Sequence, residues 1–242
     1  MKTNPQVYAM IVAAGRGSRF GTSIPKQYLA LNGQTLLQHS VARLAGSRYI
    51  DDCLLVIAAD DKTAQKLDFA LPIHYTFGGA ERWQSVRAGL EAIIDAGAND
   101  TDLVLIHDAA RPAVPHNDID NVITAAMCEP YGAILATPVA DTLKQAKSNS
   151  TLCPNDNVYR YAARTIDRTN IWQAQTPQVF RVRQLRKVLS YVAARDLSIT
   201  DEASAFEHLN LPIRLVSGSR QNIKLTYPDD AILIAAILEA QQ

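Results

Sequence analysis

Residues 8–20 have the sequence YAMIVAAGRGSRF, in which a short apolar run leads directly into a loop that contains two glycines. The run from Tyr8 to Ala13 is typical of a strand that is buried within a sheet. Glycines at the carboxyl end of such a strand let the backbone turn tightly and bring its N–H groups close to phosphate oxygens. Because ligands of open parallel sheets bind at that edge, the stretch predicts an α/β fold with an anion site after its first strand.

The same alternation of apolar runs and helical patterns continues along the chain. Strands are predicted at 53–58, 103–106, 132–137, 213–216 and 223–226, and helices at 36–44, 85–96, 119–127, 182–193, 203–209 and from about 229. This order predicts a single domain over residues 1–242 with a Rossmann-like, three-layer α/β fold. Its sheet is expected to be mostly parallel, with helices on both faces.

Residues 139–168 interrupt this alternation. The segment is polar, contains turn-forming clusters at 148–150 and 154–157, and lacks a helical period. Residues 142–145 and 158–162 are predicted to pair as a protruding antiparallel β-arm. A two-stranded arm is only marginally stable alone, so we expect it to pack on another surface, such as a second subunit.

Composition excludes several classes of protein. Lysine plus arginine equals aspartate plus glutamate at 24 each, so the chain lacks the cationic excess of a general nucleic-acid binder. Its three cysteines are scattered without a C-x-x-C pair, which is typical of reduced thiols and not of a zinc site. No run approaches the roughly twenty apolar residues of a membrane span, and the apolar run near the start is short for a signal peptide. We therefore expect a cytoplasmic protein that binds neither nucleic acid nor membrane.

Cations close to the glycine loop indicate what anion it binds. Arg19 lies within the loop, and Lys26 follows in the sequence Pro25-Lys26-Gln27. At about 4 Å and an effective dielectric near 20, each contact with a phosphate contributes about 4 kcal/mol before desolvation. The alternatives are an ordinary strand-to-helix turn and solvated surface cations. The group as a whole favours a triphosphate, although neither the G-x-G-x-x-G nor the G-x-x-x-x-G-K-[ST] motif is present.

A second candidate site is the run LVLIHDAARP at residues 103–112. Asp108 ends a predicted central strand and therefore points toward the same crevice as the glycine loop. Magnesium is usually held by one or two carboxylates plus substrate phosphates, so Asp108 is predicted to bind Mg²⁺. The alternative is that Asp108 caps a turn before Pro112, and the neighbouring His107 is expected to be structural.

Taken in order, these segments resemble the cytidylyltransferases that make 4-diphosphocytidyl-2-C-methylerythritol in the non-mevalonate isoprenoid pathway. The resemblance covers essentially the whole chain: A-A-G-x-G-x-R, P-K-Q, G-G-x-x-R-x-x-S-V, H-D-A-A-R-P, D-T, D-R, Q-T-P-Q, T-D-E-A and N-I-K. Each motif is short, but the ordered set is highly specific. The arm is longer than is usual for the family around residues 147–161.

The resemblance implies that CMP passes from CTP to 2-C-methyl-D-erythritol 4-phosphate, with release of pyrophosphate and with Mg²⁺ as cofactor. It implies a homodimer whose arm completes the partner's site. It implies that the nucleotide is bound by Ala13, Ala14, Gly15, Gly17, Gly79, Ala80, Ser85 and Ala109. It also implies that the catalytic residues are Arg19, Lys26, Arg168 and Lys224. The acceptor would be bound by Arg111, Thr142, Thr176 and Thr200, and the metal ion by Asp108.

Three other functions remain open at this point. A ribitol 5-phosphate cytidylyltransferase would keep the chemistry and change the acceptor. A non-catalytic nucleotide-binding protein would have no need to retain Arg19, Lys26, Asp108 and Lys224 together. A glycosyltransferase usually carries an Asp-x-Asp metal motif, and this chain has none.

Overall fold

The computed structural model describes residues 5–15, 24–147, 151–152 and 158–241. Thirteen strands are present within these ranges: β1 (Val7–Val12), β2 (Ala30–Leu31), β3 (Gln34–Thr35), β4 (Cys53–Ile57), β5 (Ile73–Phe77), β6 (Leu103–Asp108), β7 (Gly132–Pro138), β8 (Leu143–Ala146), β9 (Thr151–Leu152), β10 (Val158–Tyr159), β11 (Ala162–Ile166), β12 (Trp172–Arg181) and β13 (Arg214–Ser217). The α-helices are α1 (Leu36–Ala45), α2 (Arg82–Asp95), α3 (His116–Met127), α4 (Val182–Arg195), α5 (Glu202–Glu207) and α6 (Asp230–Ala240). Short 3₁₀ turns lie at Lys26–Tyr28 and Ala64–Lys66.

Seven strands form one sheet in the order β13-β7-β12-β6-β1-β4-β5. Every neighbouring pair is parallel except those of β12, which runs antiparallel to both β6 and β7. All six residues of β6 and all five of β4 are buried, because both faces of a central strand are covered. The predicted mostly parallel α/β sheet is confirmed.

Helices cover both faces of the sheet, which confirms the predicted three layers. On one face, Leu37 of α1 and Ile119 of α3 pack in a core with Leu105 of β6. On the other face, Leu90 of α2 and Leu185 of α4 pack with neighbouring strand residues. Each fully buried side chain of this kind contributes about 1.5–3 kcal/mol relative to an exposed one. The two cores together hold the carboxyl ends of β1 and β6 in fixed register.

The arm pairs differently from the prediction. Strand β8 pairs antiparallel with β11, so the partner of residues 143–146 is 162–166 and not 158–162. Residues 158–159 pair instead with 151–152, farther along the arm. The described side chains of Lys144–Lys147 and of Arg160–Thr165 are exposed, so this pairing buries no apolar face that could have fixed its register from the sequence.

Three further differences concern the sheet. The predicted strand at 223–226 is wrong. These residues have no regular structure and form no strand ladder, and the N–H of Leu225 donates to the carbonyl of Ala110 at 2.8 Å. Strand β5 at the sheet edge was not predicted. Strand β12 was also missed, because its glutamines and Pro177 conceal an apolar pattern and its register shifts between Ala174 and Gln178.

No helix in the described part of the chain is long and apolar enough to cross a membrane.

Candidate active site

A cavity of about 510 Å³ opens at the carboxyl ends of β1 and β6, where Val12 pairs with Asp108. Loops after β1, β5 and β6 form its walls, together with the segment before α6. Ten residues that were predicted as site residues line it: Ala13, Ala14, Gly15, Lys26, Gly79, Ala80, Ser85, Asp108, Ala109 and Lys224. Segments far apart in the sequence therefore converge on one crevice.

The loop between β5 and α2 is shaped by Ser85. The backbone N–H of Gly79 donates to Oγ of Ser85 at 3.1 Å, which draws the loop over the first turn of α2. A Cβ on Gly78 would lie 2.5 Å from that same Oγ and 2.6 Å from the Cβ of Ala14. Only glycine therefore lets this loop approach the end of β1 so closely.

Gln27 fixes another part of the cavity wall. Its side chain is buried and donates from Nε2 to the carbonyl of Ala13 at 2.8 Å. This bond ties the 3₁₀ turn to the end of β1 and places the adjacent Lys26 on the cavity wall. Nζ of Lys26 also donates to the carbonyl of Leu225 at 3.4 Å.

Asp108 forms ion pairs with two cationic side chains of the cavity. Its Oδ1 lies 3.0 Å from Nη2 and 3.1 Å from Nε of Arg82, and its Oδ2 lies 2.6 Å from Nζ of Lys224. Burial alone would raise the pKa of Asp108, but the charges of Arg82 and Lys224 outweigh that effect and hold the pKa well below its usual range. Asp108 is therefore a carboxylate at every physiological pH.

Arg82 is paired on its other side with Glu202, the first residue of α5. Nη1 of Arg82 lies 2.6 Å from both carboxylate oxygens of Glu202, whose side chain is completely buried. Burial alone would lower the pKa of Arg82, but the attraction of Glu202 and Asp108 raises it above its ordinary value. Burial raises the pKa of Glu202, and pairing with Arg82 opposes that rise. Removing one partner of such a buried pair typically costs about 3–5 kcal/mol.

A buried hydrogen-bond chain fixes the turn after β6. Oγ1 of Thr176 accepts from the N–H of Asp108 at 3.0 Å and lies 3.0 Å from Nδ1 of His107, to which its hydroxyl donates. Nε2 of His107 then donates to the carbonyl of Arg111 at 3.0 Å. Burial lowers the pKa of His107 to about 4, so the ring is neutral and both of its nitrogens are used. These contacts support the structural role expected of His107.

Arg111 is largely buried beside the cavity and does not line it. Its Nη1 donates to the carbonyl of Asn222 at 2.7 Å and its Nη2 to that of Ala174 at 3.4 Å. Burial lowers the pKa of Arg111. Its described contacts join the turn after β6 to the segment that carries Lys224.

The remaining predicted residues lie elsewhere. Thr142 and Arg168 are exposed at the two ends of the arm and do not line the cavity. Thr176 is buried behind Asp108, and Thr200 lines a second cavity of about 310 Å³ that also borders Arg82. Gly17 and Arg19 lie outside the described residues.

Sequence analysis missed several residues that line or support the cavity, among them Arg82, Gln27 and Glu202. Each of these three lies inside a motif that carried the resemblance, in G-G-x-x-R-x-x-S-V, P-K-Q and T-D-E-A respectively. The motif letters were therefore a usable signal. What the sequence lacked was the pairing, since 120 residues separate Arg82 from Glu202.

The described residues contain no group of three or more histidine, cysteine, aspartate or glutamate side chains able to hold a metal ion. Asp108 and Glu81 both line the cavity, and both oxygens of Asp108 already contact cations. A carboxylate oxygen keeps a second lone pair, so Asp108 can still supply one metal ligand. The donor set therefore fits a metal ion whose other ligands come from a bound phosphate chain.

Comparison with known families gives one match over nearly the whole chain. The model of the IspD family, described as 2-C-methyl-D-erythritol 4-phosphate cytidylyltransferase, matches residues 7–240. Two relatives with that name come from Psychrobacter species. The Psychrobacter cryohalolentis protein is 65% identical, with 100% of this chain and 95% of that protein covered. The Psychrobacter arcticus protein is 66% identical, with 100% and 94% covered.

Solved structures give the same result. A structure of 4-diphosphocytidyl-2C-methyl-D-erythritol synthase superimposes with a TM-score of 0.81 at 33% identity, covering 98% of this chain and 100% of that chain. The 2-C-methyl-D-erythritol 4-phosphate cytidylyltransferase of Francisella tularensis superimposes with a TM-score of 0.77 at 31% identity, covering 96% and 99%.

Proposed function

The chain belongs to the 2-C-methyl-D-erythritol 4-phosphate cytidylyltransferase family, and we propose that its cavity transfers CMP from CTP to 2-C-methyl-D-erythritol 4-phosphate. One observation carries the proposal. Lys26, Arg82 and Lys224 converge with the loops of Ala14 and Gly79 on a single crevice at the carboxyl edge of the sheet. Cations and backbone amides in that arrangement are what the meeting of two phosphate groups requires.

The reaction needs charge neutralisation and alignment more than proton transfer. An oxygen of the acceptor phosphate forms a bond to the α-phosphorus of CTP, in line with the bond that breaks. The bridging oxygen leaves with that electron pair as part of pyrophosphate. Because the acceptor phosphate is already ionised near neutral pH, the site needs no strong general base.

The proposed roles of the residues come from the family motifs, and the described positions support them where a residue lines the cavity. Ala13, Ala14, Gly15, Gly79, Ala80, Ser85 and Ala109, together with Gly17, would hold the nucleotide. Lys26 and Arg19 would stabilise charge on the α-phosphoryl group and on pyrophosphate, and Lys224 would position the acceptor phosphate. Arg111, Thr176 and Thr200 would serve the acceptor side. For Arg111 and Thr176, the described contacts favour a supporting role behind Asp108.

Mg²⁺ would be held jointly by this chain and the nucleotide. Asp108 would supply one oxygen ligand, and the triphosphate would supply others. When bound there, Mg²⁺ neutralises part of the charge of the triphosphate. The cations around Asp108 support this sharing of ligands, because a metal ion without phosphate would face the charges of Arg82 and Lys224 uncompensated.

We also propose a homodimer in which the arm of each chain reaches the other's cavity. The support is the position of Thr142 and Arg168, which are exposed and do not line their own chain's cavity. A small exposed hairpin gains stability by packing on a partner. The cytoplasmic location expected from the sequence stays a prediction.

Pyrophosphate release tests the proposed function. Purified protein receives CTP and Mg²⁺ with methylerythritol phosphate, with ribitol 5-phosphate, or with no acceptor. We expect pyrophosphate only with methylerythritol phosphate, as the family match favours. Turnover with ribitol phosphate alone would reassign the acceptor, and release with neither compound would overturn the proposal.

A further inference from the structure

Glu202 does not line the cavity of the proposed reaction, yet it belongs to an unbroken chain of charges that ends there. The chain runs from Glu202 through Arg82 and Asp108 to Lys224, with contacts of 2.6, 3.0 and 2.6 Å. Its charges alternate in sign and sum to zero. Glu202 lines the second cavity and reaches the first one through Arg82.

The guanidinium of Arg82 is divided between two carboxylates. Nη1 contacts both oxygens of Glu202, whereas Nε and Nη2 both face Oδ1 of Asp108. Oδ2 of Asp108 is thereby left to the ammonium of Lys224. The orientation of Arg82 consequently decides which oxygen Lys224 can use.

Glu202 is itself held rigidly. It follows Asp201, whose side chain accepts from the N–H of Ser204 at 3.0 Å and caps α5. Oδ2 of Asp201 also accepts from Nε2 of Gln178 at 2.8 Å, which ties the cap to the central strand β12. An anchor fixed to both α5 and the sheet can hold a guanidinium in one place.

From this arrangement we infer that Glu202 is a positioning residue for cytidylyl transfer, acting through Arg82 and Asp108 on the ammonium of Lys224. The inference rests on the proposed function. Without the charge of Glu202, Arg82 is drawn further onto Asp108 and competes with Lys224 for that carboxylate. Lys224 then loses its fixed place beside the reacting phosphates.

The test is a double-mutant cycle in turnover. Glu202→Gln keeps the size of the side chain and removes its charge. We expect it to lower kcat about 10- to 100-fold, the scale for misplacing a reacting group. The KM for CTP should change little, because the loops of Ala14 and Gly79 that would hold the nucleotide are untouched. In a Lys224→Gln background the same substitution should have almost no further effect on kcat, since the ammonium on which Glu202 acts is absent.

A merely structural role gives a different pattern. It would lower kcat by the same factor in both backgrounds, in step with a fall in Tm, and that result would overturn the inference. Undiminished kcat in Glu202→Gln would overturn it as well. Glu202→Asp retains the charge and should recover part of the lost turnover. If Glu202→Gln does not fold, the cycle is run with Glu202→Asp, whose shorter side chain draws the carboxylate away from Arg82. An equal loss of kcat in both backgrounds would then overturn the inference.

The control is Glu207→Gln, on the exposed end of the same helix, which should leave kcat unchanged. Wild-type pyrophosphate release is measured in parallel and separates the two hypotheses. An inactive wild type would refute the proposed function, whereas an active wild type with additive effects refutes the role of Glu202 alone.

Discussion

Nζ of Lys224 lies 2.6 Å from Oδ2 of Asp108, although 116 residues separate them in the chain. Asp108 ends a central strand, and Lys224 lies in an irregular segment that Leu225 anchors to the turn after that strand. The side chain of Lys224 is 40% exposed and that of Asp108 is 11% exposed. The ammonium group of Lys224 is thus held by Asp108, while its side chain stays accessible to a ligand. Both properties suit a residue that positions a substrate phosphate.

Substitution of either cavity lysine should damage turnover far more than folding. Lys26→Ala or Lys224→Gln should lower kcat by about 10² to 10³, the scale for removing one preorganised donor. The measurement is pyrophosphate release at saturating CTP and acceptor, with Tm recorded for each variant. Lys187→Ala on the exposed face of α4 is the control and should retain full turnover. Near-normal turnover of either cavity variant would remove that lysine from the mechanism.

The proposed exchange of the arm between subunits predicts complementation between two variants. Lys224→Gln damages a chain's own cavity, whereas Arg168→Gln should damage the cavity of its partner. Each variant alone should be nearly inactive, and a mixed dimer should contain one intact site. Random pairing of equal amounts would then restore about one quarter of wild-type activity. The two chains are co-expressed and assayed together; no gain over the separate variants would show that Arg168 acts within its own chain or not at all.

Mg²⁺ should bind to the protein only when CTP is bound as well. Titration calorimetry should detect no Mg²⁺ binding to the protein alone, because Asp108 already contacts two cations. Chelation by EDTA should abolish pyrophosphate release and leave Tm unchanged, since a ligand that is not bound adds no stability. A fall of Tm on chelation, or binding of Mg²⁺ without CTP, would instead indicate a resident metal site.

Stability should fall as the pH is lowered from about 6.5 to about 4, in part because of His107. Its pKa is about 4 in the folded protein and about 6.5 in an unfolded chain, so the unfolded state binds the proton first. Over that window this difference removes stability on the order of 3 kcal/mol. Urea unfolding at several pH values should show the loss.

The variant His107→Asn separates this contribution from those of the carboxylates. It should be less stable at pH 7 and should lose less stability on acidification than the wild type. The exposed His208→Asn, measured in parallel, is the matched control. An equal dependence in His107→Asn and the wild type would contradict the prediction.

Hydrophobic patterns were sufficient for most of the fold. β1, β4, β6 and β7 were predicted because their apolar residues are continuous, as expected of strands covered on both faces. Strand β12 was missed because Gln175, Thr176 and Gln178 are polar yet buried. These side chains form hydrogen bonds to Ser219, His107 and Asp201, which lie so far away in the chain that no local sequence pattern predicts them.

The site was predictable to the extent that it follows from strand ends. Asp108 and the loop of Ala14 were placed at the carboxyl edge, with Lys26 close to that loop, and they line the cavity there. The loop of Gly79 was assigned to the nucleotide only through the family resemblance, because the strand before it was not predicted. The pairing of Arg82 with Glu202 was not predictable, because it depends on how α2 and α5 pack in three dimensions. For the same reason the sequence could not show that Arg111 and Thr176 lie behind the cavity wall. The roles of the individual residues stay predictions.

The reversed direction of β12 has a consequence for how the arm can vary. Strand β7 ends at Pro138, which pairs with Trp172 at the start of β12, so the chain leaves and re-enters the sheet at neighbouring points of the same edge. Because the two ends of the arm are adjacent in the sheet, the length of the arm does not affect the distance between the strands that it joins. The intervening stretch can therefore gain or lose residues in related proteins while Ala136 and Ala174 remain paired and the catalytic edge stays intact.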